Sequence, residues 1–428
     1  MNPAIDKKMG MLVRAYCEEI LDNYNAERNS VLKFKEFTLE PATITQNLWG
    51  CMQSNSSDYY YLIFECFLDE KEYTQKFSDE NSDQESGEII KLTFFIKQEV
   101  LGEGDDEKCS VFTKESNLYC SLLPFMLEFS ERAWCPRVYL CRRDVLVLED
   151  MREVGYIMYK NLLAFTEAEI LSILRGLAVM HSSSIAYERF NSQIGDSFAY
   201  CLEETLLDPK CDWFRTGVDA LFAVAKIHPK YTKPSELTFI NLDLLNAMQS
   251  VPDMANPSLK YRNVLCHRSV WVGNVFLPLN DPDASAVFVD FKSTRYCPPI
   301  IDVLVVLFTN LNREERFKKD EFYLDFYYSE FVRNLEQNEL CEDSAGISKK
   351  TFCQSYEEFH LFGLVLRGLL FTLLKVPPQF VDDHYKTIDR SQKMLAYMTD
   401  NEEFRSLMFE VLEDIIDHAM PESCPDGE

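Results

Sequence analysis

The sequence predicts an α+β chain in two parts, a small sheet-rich part followed by a larger helical one. Three observations carry this expectation. Runs of strand length, rich in aromatic and β-branched residues, cluster before residue 150: YYYLIFECF at Tyr59–Phe67, IIKLTFFI at Ile89–Ile96 and DVLVL at Asp144–Leu148. Beyond that point apolar residues recur mainly at helical spacing. A chain of 428 residues with 46% hydrophobic and 26% charged positions is also long enough for two cores. The expected divisions are an N-terminal helix over 1–29, a sheet-rich lobe over 30–150 and a helical lobe over 151–428.

Met9, Leu12, Val13, Tyr16, Cys17, Ile20 and Leu21 share one face of a helix, so the chain opens on an amphipathic helix. The strand at Tyr59–Phe67 is followed by a polar, mainly acidic segment, Asp69–Glu88, read as a long solvated hairpin loop. The second strand ends at Lys97. A short helix starts near Val111, and Asp144–Leu148 is a further strand. Thr166 followed by Glu169 is a capping-box signature, and Ile170, Ile173, Leu174, Leu177, Ala178 and His181 continue one helical face. Asn263–Cys266, Val275–Leu277 and Ala286–Val289 read as short strands, the last two joined by a turn at Asn280-Asp281-Pro282-Asp283. From Ile301 to the acidic tail the pattern is helical. A sheet-rich lobe followed by a helical lobe with a local hairpin is the outline of a two-lobed protein-kinase-like fold.

Charge narrows the partners. Lysine plus arginine number 43 and aspartate plus glutamate 70, so the formal charge is 43 − 70 = −27. That field repels nucleic acid and anionic membrane, and no nucleic-acid partner is expected. The N-terminus lacks the apolar core of a signal peptide. The stretch Leu361–Leu374 is interrupted by Arg367 and is too short to span a bilayer, so no membrane span is expected. The 14 cysteines are scattered, without C-x-x-C spacing, and read as reduced structural thiols in a cytoplasmic protein.

The chemistry-bearing segment is NVLCHRSVWVGNVFLP followed by AVFVDFKSTRYCPPIIDVL. His267, Ser269 and Asn274 lie on one loop between strands, and Asp290 ends the next hairpin. Asn and Asp offer hard oxygen ligands of the kind that hold Mg²⁺ on a nucleotide's phosphates. Read alone, Lys97 is a surface lysine after a strand and Glu115 a solvated helix charge. Asn274 is then a turn residue and Asp290 a strand-end acid. His267 reads as a structural loop histidine, His181 as a hydrogen-bonded core histidine, and Ser269 as a loop serine bonding its own backbone. Arg268 either pairs with an acid or reaches solvent.

Leu265-Cys266-His267-Arg268-Ser269-Val270-Trp271-Val272-Gly273-Asn274, then Asp290-Phe291-Lys292-Ser293-Thr294-Arg295-Tyr296 with Pro299 and Asp302 in register, resembles a known pattern. It is that of the insect ecdysteroid-kinase-like (choline-kinase-like) proteins, relatives of the aminoglycoside phosphotransferases. FFIK at Phe94–Lys97, FTKE at Phe112–Glu115, LVLEDM at Leu146–Met151 and LAVMHSSSIAYE at Leu177–Glu188 extend the resemblance over about 40–415. It implies ATP and Mg²⁺ as cofactors and a small-molecule hydroxyl as phosphoryl acceptor, ecdysteroid-like or xenobiotic. It also implies that Lys97 binds the α- and β-phosphates and that Glu115 holds Lys97. Glu149 and Met151 would form the adenine hinge, and Gly50 would sit in the phosphate-covering loop. Asn274 and Asp290 would ligate Mg²⁺, and Asp302 would brace the catalytic loop.

Three departures qualify that implication. Ser269 stands where the family has its catalytic aspartate, and a serine hydroxyl is no base near neutral pH. General-base assistance is typically worth about 10²–10⁴ in rate. Lys292 replaces a glutamine beside Asp290, adding a cation next to the expected metal site. Gly273 stands where the family often has a second asparagine. Asp281 and Asp283, at the hairpin tip, are poorly placed to substitute for the missing acid. The sequence therefore reads as a kinase-like phosphotransferase with weakened catalysis, or as a pseudokinase that holds nucleotide or ligand without turnover.

Overall fold

The computed structural model describes residues 3–42, 57–68, 89–99, 111–159, 164–205, 207–281 and 283–421. Gly50 and the acidic segment Asp69–Glu88 lie outside the described residues. The chain forms two compact units. The first ends with Cys135–Ile157, while Phe125–Trp134 and the chain from Met158 onward belong to the second.

The first unit is built on a five-stranded antiparallel sheet. Its strands are β1 (Leu32–Pro41), β2 (Ser57–Leu68), β3 (Ile90–Glu99), β4 (Val138–Cys141) and β5 (Val145–Glu149), in the order β1-β2-β3-β5-β4. In β2, Tyr60, Leu62, Phe64 and Cys66 are buried at alternate positions, as a strand with one face on a core requires. Phe94 and Ile96 continue that face in β3, and Cys17, Ile20 and Leu21 of helix α1 (Pro3–Arg28) cover it. Phe95 and Lys97 therefore belong to the opposite face, with Lys97 aligned between Tyr59 of β2 and Leu146 of β5. Lys97 lies within the strand rather than after it, a correction to its expected place. Helix α2 (Val111–Ser121) carries Glu115.

Strands β1 and β4 were not expected. β1 is an edge strand of sequence LKFKEFTLEP with a register shift between Phe34 and Glu36, so most of its side chains stay partly or fully exposed. Such a strand lacks the aromatic run that marks β2. β4 is only four residues long. The thiol expectation is also corrected: Cys120, in the last turn of α2, is disulfide-bonded to Cys141 at the end of β4, with Cα atoms 5.9 Å apart. A contact made 21 positions apart leaves no motif.

The second unit is organised around helix α3 (Glu167–Phe190), buried from Ile170 to Ala186 apart from Leu171. Its start is the expected capping box: the Thr166 hydroxyl accepts the Glu169 N–H, and the Glu169 carboxylate accepts the Thr166 N–H at 2.7 Å. Among the described residues α3 is the one helix long and apolar enough to cross a membrane, but 89% of its apolar window is buried within the protein. Helices α4 (Asp212–Ile227), α5 (Ile300–Asn310), α6 (Arg313–Gln337), α7 (His360–Leu374) and α8 (Glu402–Ala419) fill out the unit. α7, the stretch singled out as a buried helix, is buried from Leu361 to Leu373.

Two short antiparallel pairs are set into this helical framework. β6 (Val264–Cys266) pairs with β9 (Arg295–Cys297), and β7 (Val275–Pro278) pairs with β8 (Val287–Phe288). The hairpin is anchored to α3, since the Ser172 hydroxyl donates to the Ala284 carbonyl at 2.8 Å and the Ala286 N–H donates to the Ser172 carbonyl at 3.0 Å. The approach is close at Gly176, where a Cβ would stand 2.6 Å from the Ala286 carbonyl oxygen. Only glycine admits the strand there.

Candidate functional site

The residues singled out from the sequence form one group in each unit. In the first, the Lys97 ammonium is ion-paired with the Glu115 carboxylate, and the side chains are only 7% and 1% exposed. The solvated readings of both residues are thereby excluded. The Lys97 ammonium also lies 6.0 Å from the centre of the Tyr59 ring. A buried ammonium held by a helix carboxylate is a fixed cation, suited to polyphosphate. Glu149, ending β5, is paired with Arg28 of α1 through its side chain. Its backbone N–H donates to the Arg137 carbonyl at 2.9 Å, and the Met151 carbonyl accepts the Tyr156 N–H at 3.0 Å.

In the second unit, His267, Arg268 and Ser269 lead from β6 into the loop, and all three are buried. Asp302, in the first turn of α5, organises them. Its Oδ2 accepts the His267 N–H at 2.6 Å and its Oδ1 accepts the Arg268 N–H at 2.7 Å. Oδ2 also accepts from His181 Nε2 at 3.1 Å, while His181 Nδ1 lies 2.7 Å from the Tyr327 hydroxyl of α6. Burial alone raises the Asp302 carboxyl pKa, but His181, His267 and the Arg268 N–H outweigh it and hold the group ionised. Asp302 thus braces the loop from behind. Arg268, in the left-handed region at φ 68°, turns its guanidinium onto Glu204 at 2.9 Å.

His267 Nε2 donates to the Val289 carbonyl at 3.0 Å, and Nδ1 accepts the Ser269 N–H at 3.2 Å. Burial lowers its pKa, so the ring is neutral and structural. The Ser269 backbone is fully engaged: its carbonyl accepts the Trp271 N–H at 3.0 Å and Asn274 Nδ2 at 3.1 Å. The Ser269 hydroxyl, by contrast, is buried with no hydrogen-bond partner among the described residues. It does not bond its own backbone as expected, and none of the described residues accepts its proton.

Asn274, 2% exposed, offers its Oδ1 as a hard ligand because Nδ2 is already used on the loop. Its carbonyl accepts the Val289 N–H at 3.0 Å, which fixes the loop beside Asp290. Asp290 adopts φ 70° and ψ 60°, a left-handed conformation that costs about 1–3 kcal/mol in a residue with a side chain. Asp290 Oδ1 is 3.1 Å from the Lys292 ammonium, with side chains 10% and 7% exposed. Asn274 thus fits a divalent cation, and at Asp290 the Oδ1 is shared with an ammonium. An ion on that oxygen would share it with an ammonium, and two unit charges 4 Å apart already repel by about 4 kcal/mol at an effective dielectric near 20.

His181, Cys266 and Asp302 also bring three possible metal-ligand atoms within 4.8 Å of one another. They do not fit a metal. Both Asp302 oxygens are committed to N–H donors, and the Cys266 thiol donates to the Cys297 and Pro298 carbonyls at 3.4 and 3.5 Å. Burial pushes that thiol well above its usual range, away from the thiolate a metal needs.

Sequence reasoning missed Glu204. Burial pushes its carboxyl up, but Arg268, the Leu207 N–H and Arg295 together hold it down at about 2. It decides where Arg268 goes, and no spacing rule connects positions 64 apart. Asp283 is 89% exposed and only 3.8 Å from Arg175, consistent with a hairpin-tip acid that takes no part in the loop.

The family model described as the ecdysteroid kinase-like family matches residues 74–340. No curated protein matches the sequence. Among solved structures, an ADP-bound aminoglycoside phosphotransferase APH(2'')-Ib is 12% identical, covering 93% of this chain and 98% of that one with a TM-score of 0.37. The Plasmodium vivax ethanolamine kinase is 12% identical over 86% of this chain and 83% of its own, TM-score 0.36. The choline kinase of Cryptosporidium parvum is 9% identical over 89% and 93%, TM-score 0.36.

Proposed function

Because the chain belongs to the ecdysteroid kinase-like family, we propose that it binds ATP and transfers its γ-phosphoryl group only slowly to a hydroxyl of a small, largely apolar molecule. The observation that carries this reading is the buried Lys97–Glu115 pair, taken together with Ser269 where the resemblance places the catalytic aspartate. A desolvated ion pair is costly to keep without a use, since replacing such a pair by apolar residues is often neutral or stabilising. The family description supports a steroid-like acceptor. Lys97 takes phosphate and Glu149 and Met151 take the adenine edge through their backbone. The proton of the acceptor hydroxyl has no side-chain base at Ser269, so transfer relies on positioning and charge.

A second reading is favoured by the Lys292–Asp290 pair: nucleotide is held and not turned over. Titrating the full chain with ATP tests what both share. Binding that disappears in Lys97→Met supports it, and no binding by the unaltered chain overturns it. Consumption of ATP with a panel of hydroxylated steroids and xenobiotics then separates slow transfer from none.

A further inference from the structure

We propose that helix α1 positions the adenine-binding backbone at Glu149, with Arg28 as the positioning residue, so that affinity for the base, and not for the phosphates, depends on the last turn of α1. The inference rests on the nucleotide-binding reading above and concerns how one part of that site is held. All the groups involved lie in the first unit. One stripe of α1 is apolar and covers the sheet core through Cys17, Ile20 and Leu21. Glu19, Asn23 and Glu27, spaced four apart, form a second stripe beside it. That stripe follows the chain on either side of β4: Glu19 accepts from the Arg142 guanidinium at 2.7 Å, Asn23 Nδ2 donates to the Tyr139 carbonyl at 2.8 Å, and Glu27 is ion-paired with Arg137.

The last turn of α1 converges on one residue. Arg28 is ion-paired with the Glu149 carboxylate, whose side chain is only 9% exposed. Glu27 holds the guanidinium of Arg137, and the Arg137 carbonyl accepts the Glu149 N–H at 2.9 Å. Two successive residues of α1 thus reach Glu149, one through its side chain and one through its backbone. A carboxylate this well buried needs a partner, and the chain supplies it from a helix 121 positions away. Fixing the side chain and the N–H together leaves the Glu149 backbone a single position, as a group that must meet a planar base requires. Lys97 is held separately, by Glu115 of α2, so the grip on phosphate does not run through Arg28.

Calorimetry on the full chain tests this by comparing ATP with inorganic tripolyphosphate, which presents phosphates without a base. Arg28→Gln and Glu149→Gln break the pair from either side, and Glu19→Gln breaks an ion pair at the far end of the same stripe. Arg28→Gln and Glu149→Gln are each expected to weaken ATP about tenfold or more and to leave tripolyphosphate within about threefold. The double variant should lose no more than about threefold beyond either single one, because both remove the same contact. Glu19→Gln should leave both ligands within about threefold. Equal loss of ATP and tripolyphosphate in Arg28→Gln would mean a general loosening of the unit and would overturn the proposal, as would no loss of either. A loss of ATP in Glu19→Gln as large as in Arg28→Gln would overturn the role given to Arg28. ATP held by the unaltered chain no more tightly than tripolyphosphate would overturn the proposal and leave phosphate binding standing. Absence of ATP binding by the unaltered chain would overturn this proposal and the nucleotide-binding reading together.

Discussion

At the scale of single residues, the proposed function turns on Ser269 and Lys292, which would act on different requirements. On the proposed reading Ser269 leaves the acceptor hydroxyl without a base, while Lys292 pairs with Asp290, the carboxylate proposed to hold a metal. Repairing one should therefore do little without the other. Ser269→Asp alone is expected to change ATP consumption by less than about tenfold, whereas Ser269→Asp with Lys292→Gln should raise it by about 10²–10⁴. Steady-state turnover of the two variants checks this, and an equal rise in both would show that the base was the single broken part. These residues were legible in the sequence because each stands within a short run whose neighbours fix its register. Glu204 was not, because its hold on Arg268 spans 64 positions and depends on the tertiary fold. The burial of Lys97 and Glu115 was equally invisible, since either residue also suits a solvated surface.

At the scale of elements, legibility followed local signal strength. The Thr166–Glu169 box announced α3, and the alternation of Tyr60, Leu62, Phe64 and Cys66 announced β2. β1 stayed hidden because an edge strand with lysines and glutamates on it carries no apolar run, and β4 because four residues hold too little pattern. The cap matters to the site because α3 carries both His181, on the Asp302 network, and Ser172, on the hairpin. Thr166→Ala is expected to lower stability by about 1 kcal/mol in urea unfolding, the usual cost of losing such a cap. A loss under about 0.3 kcal/mol would mean that packing alone sets the start of α3.

At the scale of the whole molecule, a half-buried histidine, His360, sets an acid limit. His360 stacks on His418 with ring centres 4.9 Å apart, and burial, helped by His418 and Arg316, lowers the His360 pKa to about 4. A base whose folded pKa is depressed binds fewer protons folded than unfolded between that value and its ordinary 6.5. Its contribution to stability is therefore complete above pH 6.5 and is lost as the pH falls toward 4. An NMR titration should find His360 still neutral at about pH 5.5, and a midpoint near 6.5 would contradict the burial assigned to it. The central claim is that this chain keeps its nucleotide site, and thermal unfolding with and without ATP tests it most directly. Ligand at about 100 times its dissociation constant stabilises by roughly 2.7 kcal/mol. An upward shift of the unfolding midpoint with saturating ATP, absent in Lys97→Met, is the expected result. No shift for the unaltered chain, in Mg²⁺ or in chelator, would contradict it.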